Sequence, residues 1–307
     1  MINIKNKIKT FFTTPNILLK KFTHSKMFNL MPDKLALKIL FKASMGTKLN
    51  LDNPISFSEK LQWLKIYNRD PKLTTLVDKY KVKDYVKSVL GEEYIIPTIG
   101  VYNKFDDIDF NKLPNQFVLK CNHGSGDVVI CKDKSKFDIN IAREKLTKSL
   151  KTNYYKIGRE WPYKNVERKI ICEKYLDEIN GSVSDYKFFC FNGEPKIMFI
   201  VTDRNTDCRL DFFDMDFNHL DILYTYPNAD KPILKPENFY KMKEIARKLS
   251  KGLDFARVDL YSVNNKIYFG EITLYPGGGD SPFNPPEWDY KLGEWLELPV
   301  KNKVKGK

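Results

Sequence analysis

Four side chains in the stretch FARVDLYSVNNKIYFGEITLYPGGG, residues 255–279, combine types and spacing suited to chemistry: Arg257, Asp259, Glu271 and Thr273. The stretch reads as two short strands joined by a tight turn, Ser262-Val263-Asn264-Asn265. Centring the hairpin near Asn264 puts Arg257 opposite Glu271, with Asp259 diagonal to that carboxylate. Side chains alternate along a strand, so the four share one face. Ala256, Val258, Leu260, Gly270 and Ile272 take the other, largely apolar one. Two acids diagonal across a hairpin stand roughly 7 Å apart, a gap that a hard divalent cation spans. Mg²⁺ takes oxygen ligands, usually one or two carboxylates plus substrate phosphates. The plainer reading is a surface ion pair between Arg257 and Glu271 on an ordinary ribbon.

A second stretch, from Gln116, runs strand, glycine loop, strand: QFVLK, CNHGSG, DVVIC. Gly124 and Gly126 let the backbone approach a ligand, and the N–H groups of such a loop cradle phosphate oxygens. Lys120 ends the first strand beside the loop, placed to meet an anion. The loop fits neither the Walker A nor the GxGxxG pattern, and a plain hairpin turn explains it equally well.

Composition bounds the partners. The chain has 307 residues with a net charge of +13, which favours an anionic partner. Five scattered cysteines without CxxC pairing fit free thiols in a reducing cytosol. No apolar run approaches the roughly 20 residues of a membrane span. Nucleic acid is not the expected partner: the lysines spread along the chain and no RRM, KH or zinc signature appears. Residues 1–32 contain no acidic residue, and Lys5, Lys7, Lys9, Lys20, Lys21 and Lys26 interleave with apolar residues. Two readings stand there. One is a basic amphipathic segment in peripheral contact with an anionic membrane; the other is a lysine-rich helix docked on the rest of the fold.

The elements that must position these residues follow from periodicity and caps. Ser56 and Glu59 form a capping box for a helix through Tyr67. Thr74 to Leu90 reads as one helix with a lysine-rich outer side, ended by Gly91. Tyr94 to Val101 reads as a strand interrupted by Pro97. Ile139 to Tyr154 and Phe239 to Leu253 read as helices, RKIICEKYL as a buried strand, and Ser184–Phe191 with Pro195–Thr202 as a hairpin. Leu292 to Leu298 is a short amphipathic piece.

Taken together, the stretches EKLQWLKIYNRDP, DKYKVKDYV, LPNQFVLKCNHGSGDVVICKD, REWPYKNVERKIICEKYL, DYKFFCFNGEPK, KPENFYKMKEIARKLS, the hairpin itself and DYKLGEWL resemble the TupA-like branch of the ATP-grasp superfamily, over roughly residues 55–298. The resemblance implies an α+β, ATP-grasp fold: two α+β subdomains sandwiching ATP, preceded by a mostly helical N-terminal segment. On that reading residues 1–50 are the basic helical segment and 51–115 a mixed subdomain. Residues 116–178 are the ATP-grasp N-subdomain, 179–300 the C-subdomain with the metal hairpin, and 301–307 a lysine-rich tail.

Residue by residue, the resemblance makes Lys120 a ligand of the ATP phosphates and Gly124-Ser125-Gly126 the loop closing over them. Glu173, Lys174, Tyr175 and Leu176 become the hinge that meets adenine. Lys187 and Arg204 stand near the transferred phosphate or the acceptor, Arg257 steadies the γ-phosphate, and Asp259 and Glu271 hold Mg²⁺. Thr273 stands where many ATP-grasp ligases carry a metal-ligating Asn, and its hydroxyl leaves the second metal position open.

The implied activity is that of an ATP-grasp ligase forming a carbon–nitrogen bond: a substrate carboxylate becomes an acyl phosphate that an amine attacks. The expected substrates are a small-molecule or lipid-linked saccharide acceptor of bacterial surface-polysaccharide synthesis, such as a uronic acid, and an amine donor such as an amino acid. The expected location is the cytoplasm, including the inner face of the cell membrane. The rival readings are an ATP-dependent sugar kinase and a glycosyltransferase of the same pathway. No convincing Ser/His/Asp or Cys/His set is present, and phosphoryl transfer asks mainly for positioning and charge neutralisation.

Overall fold

The computed structural model describes residues 19, 21–23, 25–176, 184–202 and 207–300. Two compact units share the chain. The first is made of residues 1–69, 155–161 and 275–307, the second of residues 70–154 and 162–274.

The second unit holds every strand of the described residues, in two antiparallel sheets. The smaller has the order β1-β4-β2-β3, from β1 (Thr98–Tyr102), β2 (Phe117–Cys121), β3 (Val129–Cys131) and β4 (Ile170–Lys174). Its burial alternates. Phe117, Leu119, Cys121, Ile170 and Cys172 form a core with Ala142 and Leu146 of the helix Ile139–Lys151. The pairings Lys120↔Ile171, Val118↔Glu173, Thr98↔Glu173 and Val118↔Ile130 put these side chains on the opposite face.

The larger sheet has the order β10-β9-β5-β6-β7-β8. Its strands are β5 (Ser184–Phe191), β6 (Glu194–Thr202), β7 (Arg209–Asp214), β8 (His219–Leu220), β9 (Phe255–Val263) and β10 (Lys266–Thr273). The helix Phe239–Ser250 covers one face with Phe239, Met242, Ile245, Ala246 and Leu249. Phe239 meets Phe188 of β5 there, ring centroids 6.2 Å apart. The opposite face of β5 and β9 carries Asp185, Lys187, Arg257 and Asp259, through the direct pairing Lys187↔Asp259.

The expected register of the hairpin is corrected. Asn264 and Asn265 form its turn with φ of 49° and 60°, the left-handed pair that a two-residue turn of this twist requires. A bulge then falls between Phe269 and Glu271, so Glu271 lies directly across from Asp259 and Arg257 across from Thr273. Gly270 makes the bulge. A Cβ there would stand 3.0 Å from the Asp259 carbonyl oxygen, so the strands close up only without a side chain.

Two other elements differ from expectation. The single helix over residues 74–90 is two, Lys72–Val77 and Val82–Leu90. They break at Asp78, whose carboxylate accepts from the amides of Tyr80 and Lys81 and from the Asn122 side chain. The strand expected from Tyr94 starts only at Thr98, after the 3₁₀ turn Glu92–Tyr94. Of the basic segment 1–32, residues 1–18 lie outside the described residues, and Lys26–Asn29 is helical.

The first unit is helical: α1 (Lys26–Asn29), α2 (Asp33–Met45), α3 (Phe57–Tyr67) and α4 (Glu287–Trp295). The capping box of Ser56 and Glu59 forms as expected. Helix α3 packs on α4 through Asp289, which accepts from the Ser58 amide at 2.9 Å and hydroxyl at 2.8 Å. The buried α3 residues Gln62 and Lys65 hold the turn Pro276–Gly279. The Gln62 amide donates to the carbonyls of Gly278 and Gly279, and the Lys65 ammonium to that of Gly278. Three successive glycines there have φ between 58° and 69°, a left-handed run open only to glycine. In the first unit, then, this glycine run has a packing role.

Candidate active site

The acidic hairpin is a charge cluster. Arg257 donates to both Asp259 oxygens at 2.7 Å, to Glu271 Oε1 at 3.0 Å and to Thr273 Oγ1 at 2.9 Å. Lys187 reaches across from β5 to Asp259 and stands 2.8 Å from Asp185. Asp259 is 1 % exposed. Burial pushes its carboxyl up, opposed by Arg257 and Lys187 and assisted by the like charges of Glu271 and Asp185. Glu271 is the open member. Burial would raise it too, yet Lys79, Arg257 and Lys187 outweigh that and hold it well below the usual range. The same two acids keep the Arg257 guanidinium charged against the pull of desolvation.

The smaller sheet carries a second cluster. Glu173, 3 % exposed, accepts from Lys120 at 2.6 Å and from Lys83 at 2.6 Å. Lys83 also donates to Thr98 Oγ1 and the Ile96 carbonyl. Burial acts to raise Glu173, but the two lysines prevail and it stays ionised. Burial lowers Lys83, with Glu173 opposing. Two cations to one carboxylate leave this face net positive, beside the exposed Val128 and Ile130.

One side chain joins the acidic hairpin to the glycine loop. Lys79 donates to the Gly124 carbonyl at 2.6 Å and stands 3.2 Å from Glu271 Oε2. The glycine loop and the acidic ribbon therefore meet a common ammonium. Asn122 holds Lys79 there: its carbonyl accepts from the Lys79 amide at 3.0 Å, and its side chain donates to Asp78. At the base of the loop Asp127 accepts from the Cys121 amide and the Ser149 hydroxyl. His123 Nε2 meets the Ser149 and Thr152 carbonyls. Ser125 and Gly126 form the exposed tip, with Gly126 at φ +80°.

The structure thus brings the glycine loop to Glu271 through Lys79, gathers Lys187, Arg257, Asp259, Glu271 and Thr273 in one cluster, and pairs Lys120 with Glu173 in another. Lys174 and Tyr175 turn elsewhere, lining a cavity of about 520 Å³ with Pro97, Ile99, Pro114, Asn115 and Gln116. Lys174 is exposed, Leu176 half-buried, and Arg204 lies outside the described residues. Lys79, Lys83 and Asp185 join the site without having been singled out from sequence. No local signal picks out the two lysines, because their partners Glu271 and Glu173 are distant in sequence.

The donor set suits a hard cation delivered with phosphates. Asp259 and Glu271 face one another and offer only oxygen, and Glu271, with 32 % of its side chain exposed, has room to reach a ligand. Asp259 serves only where Lys187 gives way, since both its oxygens are taken. Among the described residues no group of three or more His, Cys, Asp or Glu side chains could hold a metal by itself.

The TupA-like ATPgrasp family model matches residues 59–297, and the chain belongs to this family, an ATP-grasp enzyme of the α+β class. Among solved structures it is similar to D-alanine–D-alanine ligase from Helicobacter pylori, at 17 % identity over 78 % of this chain and 69 % of that one, TM-score 0.45. It is also similar to the Bacillus anthracis D-alanine–D-alanine ligase, at 19 % identity over 72 % and 64 %, TM-score 0.42. Against N5-carboxyaminoimidazole synthetase from Staphylococcus aureus the identity is 14 % over 73 % and 53 %, TM-score 0.39. The chain therefore spans about half to two thirds of these proteins' length. No curated protein matches it. No helix of the described residues is long and apolar enough to cross a membrane.

Proposed function

We propose that the chain is an ATP-dependent carboxylate–amine ligase acting on a bacterial surface-polysaccharide precursor, with an amino acid joined to a uronic-acid carboxyl as the working example. The observation that supports the reading is Lys79, shared by the glycine loop and Glu271, because a loop suited to phosphate and a carboxylate suited to a cation meet at one charge. Bound Mg²⁺–ATP supplies a γ-phosphoryl group for the carboxylate and neutralises its charge.

The protein's part is positioning and charge. Lys120 and Lys83, released from Glu173, meet phosphate oxygens, and Lys79 meets them beneath the loop. Arg257 and Lys187 balance charge as it moves between donor and acceptor, while Thr273 orients Arg257 and Glu271 through its two hydrogen bonds. Glu271 and then Asp259 hold the cation. The apolar Val118, Val128 and Ile130 offer a wall for a nucleobase.

The experiment measures ADP and phosphate release with carboxylate and amine substrates supplied singly and together. Release that requires both, with an amide product, supports the reading. Binding of ATP with no turnover on any such pair sinks it, and a phosphorylated product without an amide marks a kinase.

A further inference from the structure

The charge of this protein is distributed unevenly. Residues 1–51 contain ten lysines, no arginine and one acidic residue, Asp33, so nine of the thirteen net positive charges lie there. Asp33 itself is spent inside the first unit: Arg69 pairs with it at 2.9 Å, Arg159 at 3.4 Å, and the Tyr155 hydroxyl donates to it. Nothing acidic in this stretch offsets the lysines at the surface.

The described part of the stretch arranges them. Lys34, Lys38 and Lys42 are exposed and stand four residues apart on α2, a stripe about 12 Å long. Beside it stand apolar side chains with little cover. Leu30 is 86 % exposed, Met27 64 % and Leu35 47 %. Ile157, 57 % exposed, joins them, because its neighbour Lys156 donates to the Asn29 carbonyl at 2.7 Å. The core side of α2, with Ala36, Leu37, Phe41 and Ala43, is fully buried, so these outward residues are surplus to packing.

We propose that this face of the first unit docks on an anionic lipid surface, the lysine stripe meeting headgroup phosphates while Leu30, Met27 and Leu35 enter the acyl boundary. The pairing of lysine charge with protruding apolar side chains selects lipid among anionic partners. A nucleic-acid backbone offers nothing to Leu30 or Met27, and its recognition favours the arginine fork that residues 1–51 lack. The inference is independent of the ligase reading.

The test sediments the full chain with vesicles of phosphatidylcholine alone and of phosphatidylcholine mixed with phosphatidylglycerol. Binding is expected only to the mixed vesicles, and is released by salt at about 1 M, where the screening length falls to ~3 Å. The triple variant Lys34→Glu/Lys38→Glu/Lys42→Glu is expected to lower the bound-to-free ratio by about tenfold or more. Leu30→Ser/Leu35→Ser lowers it with every charge in place, and each variant's thermal midpoint reports whether it folds. Equal binding to both vesicle types, binding to neither, unchanged binding by the folded variants, or displacement from vesicles by duplex DNA or RNA overturns the proposal.

Discussion

Lys79 stands 3.2 Å from Glu271 and holds the Gly124 carbonyl with the same ammonium. Lys79→Met keeps the stem and removes the charge. Its KM for ATP is expected to rise by about tenfold to a hundredfold, the range of a lost charge-assisted hydrogen bond. Adenosine binding should hold. Titration of both ligands by calorimetry checks the difference, and an equal loss for adenosine would make Lys79 structural.

Lys120→Ala acts on the other cluster. ATP is expected to weaken much more than adenosine, because the lost contact is to phosphate. Glu173 keeps Lys83 at 2.6 Å, so the fold is expected to lose only about 1–3 kcal/mol. Denaturant titration reads that number separately from binding.

Glu271→Gln and Asp259→Asn should both abolish Mg²⁺-dependent turnover, but they differ in stability. Glu271 is partly open but pairs with Lys79 and Arg257, so its replacement is expected to lower the melting temperature by less than that of Asp259. Asp259 balances the half-buried Arg257 and the buried Lys187, so Asp259→Asn is expected to cost about 3 kcal/mol. Full activity in both variants would remove the cation assignment.

Acid should loosen the second unit through Glu173 and Glu271. Both carboxyls are held below their ordinary value of 4.5. A depressed carboxyl adds stability that is complete above the unfolded-state value and fades as pH falls through the folded-state one. Unfolding free energy is therefore expected to be flat from pH 7 to about 5 on account of these groups and to drop below about 4.5. Glu173→Gln should flatten the drop; an identical slope in the variant would place the acid sensitivity elsewhere.

Gly279 tests the first unit. At φ +66°, a Cβ would stand 2.8 Å from the Gln62 amide and 3.0 Å from Leu61 Cβ. Gly279→Ala is expected to lower stability by about 1–3 kcal/mol. Chemical denaturation followed by tryptophan fluorescence measures it, and no change would show that the turn adapts.

Much of the site is legible in the chain because strands alternate. Parity puts Arg257 with Asp259 on one face of their strand and Glu271 with Thr273 on one face of theirs, and QFVLK separates Lys120 from the core residues Phe117 and Leu119 in the same way. The capping box of α3 is equally local. The bulge is not legible, since Gly270 matters through a carbonyl on the neighbouring strand, and its one-residue slip is what brings Glu271 and Thr273 onto the face of Asp259 and Arg257.

Lys79 and Lys83 are hidden for a related reason. Lysine at helical spacing reads as solvated surface, and the partners that turn these two inward, Glu271 and Glu173, are distant in sequence. The break at Asp78 depends likewise on Asn122, 44 residues on. Local pattern reports faces and caps; partners brought by topology stay silent in it.

The bond between Ser58 and Asp289 spans 231 residues. During synthesis, at about 5–20 residues per second, α3 leaves the ribosome roughly 10–50 s before the helix it rests on has been made. Its apolar side, with Leu61 and Leu64, therefore waits through that interval without the helix that covers it in the folded chain.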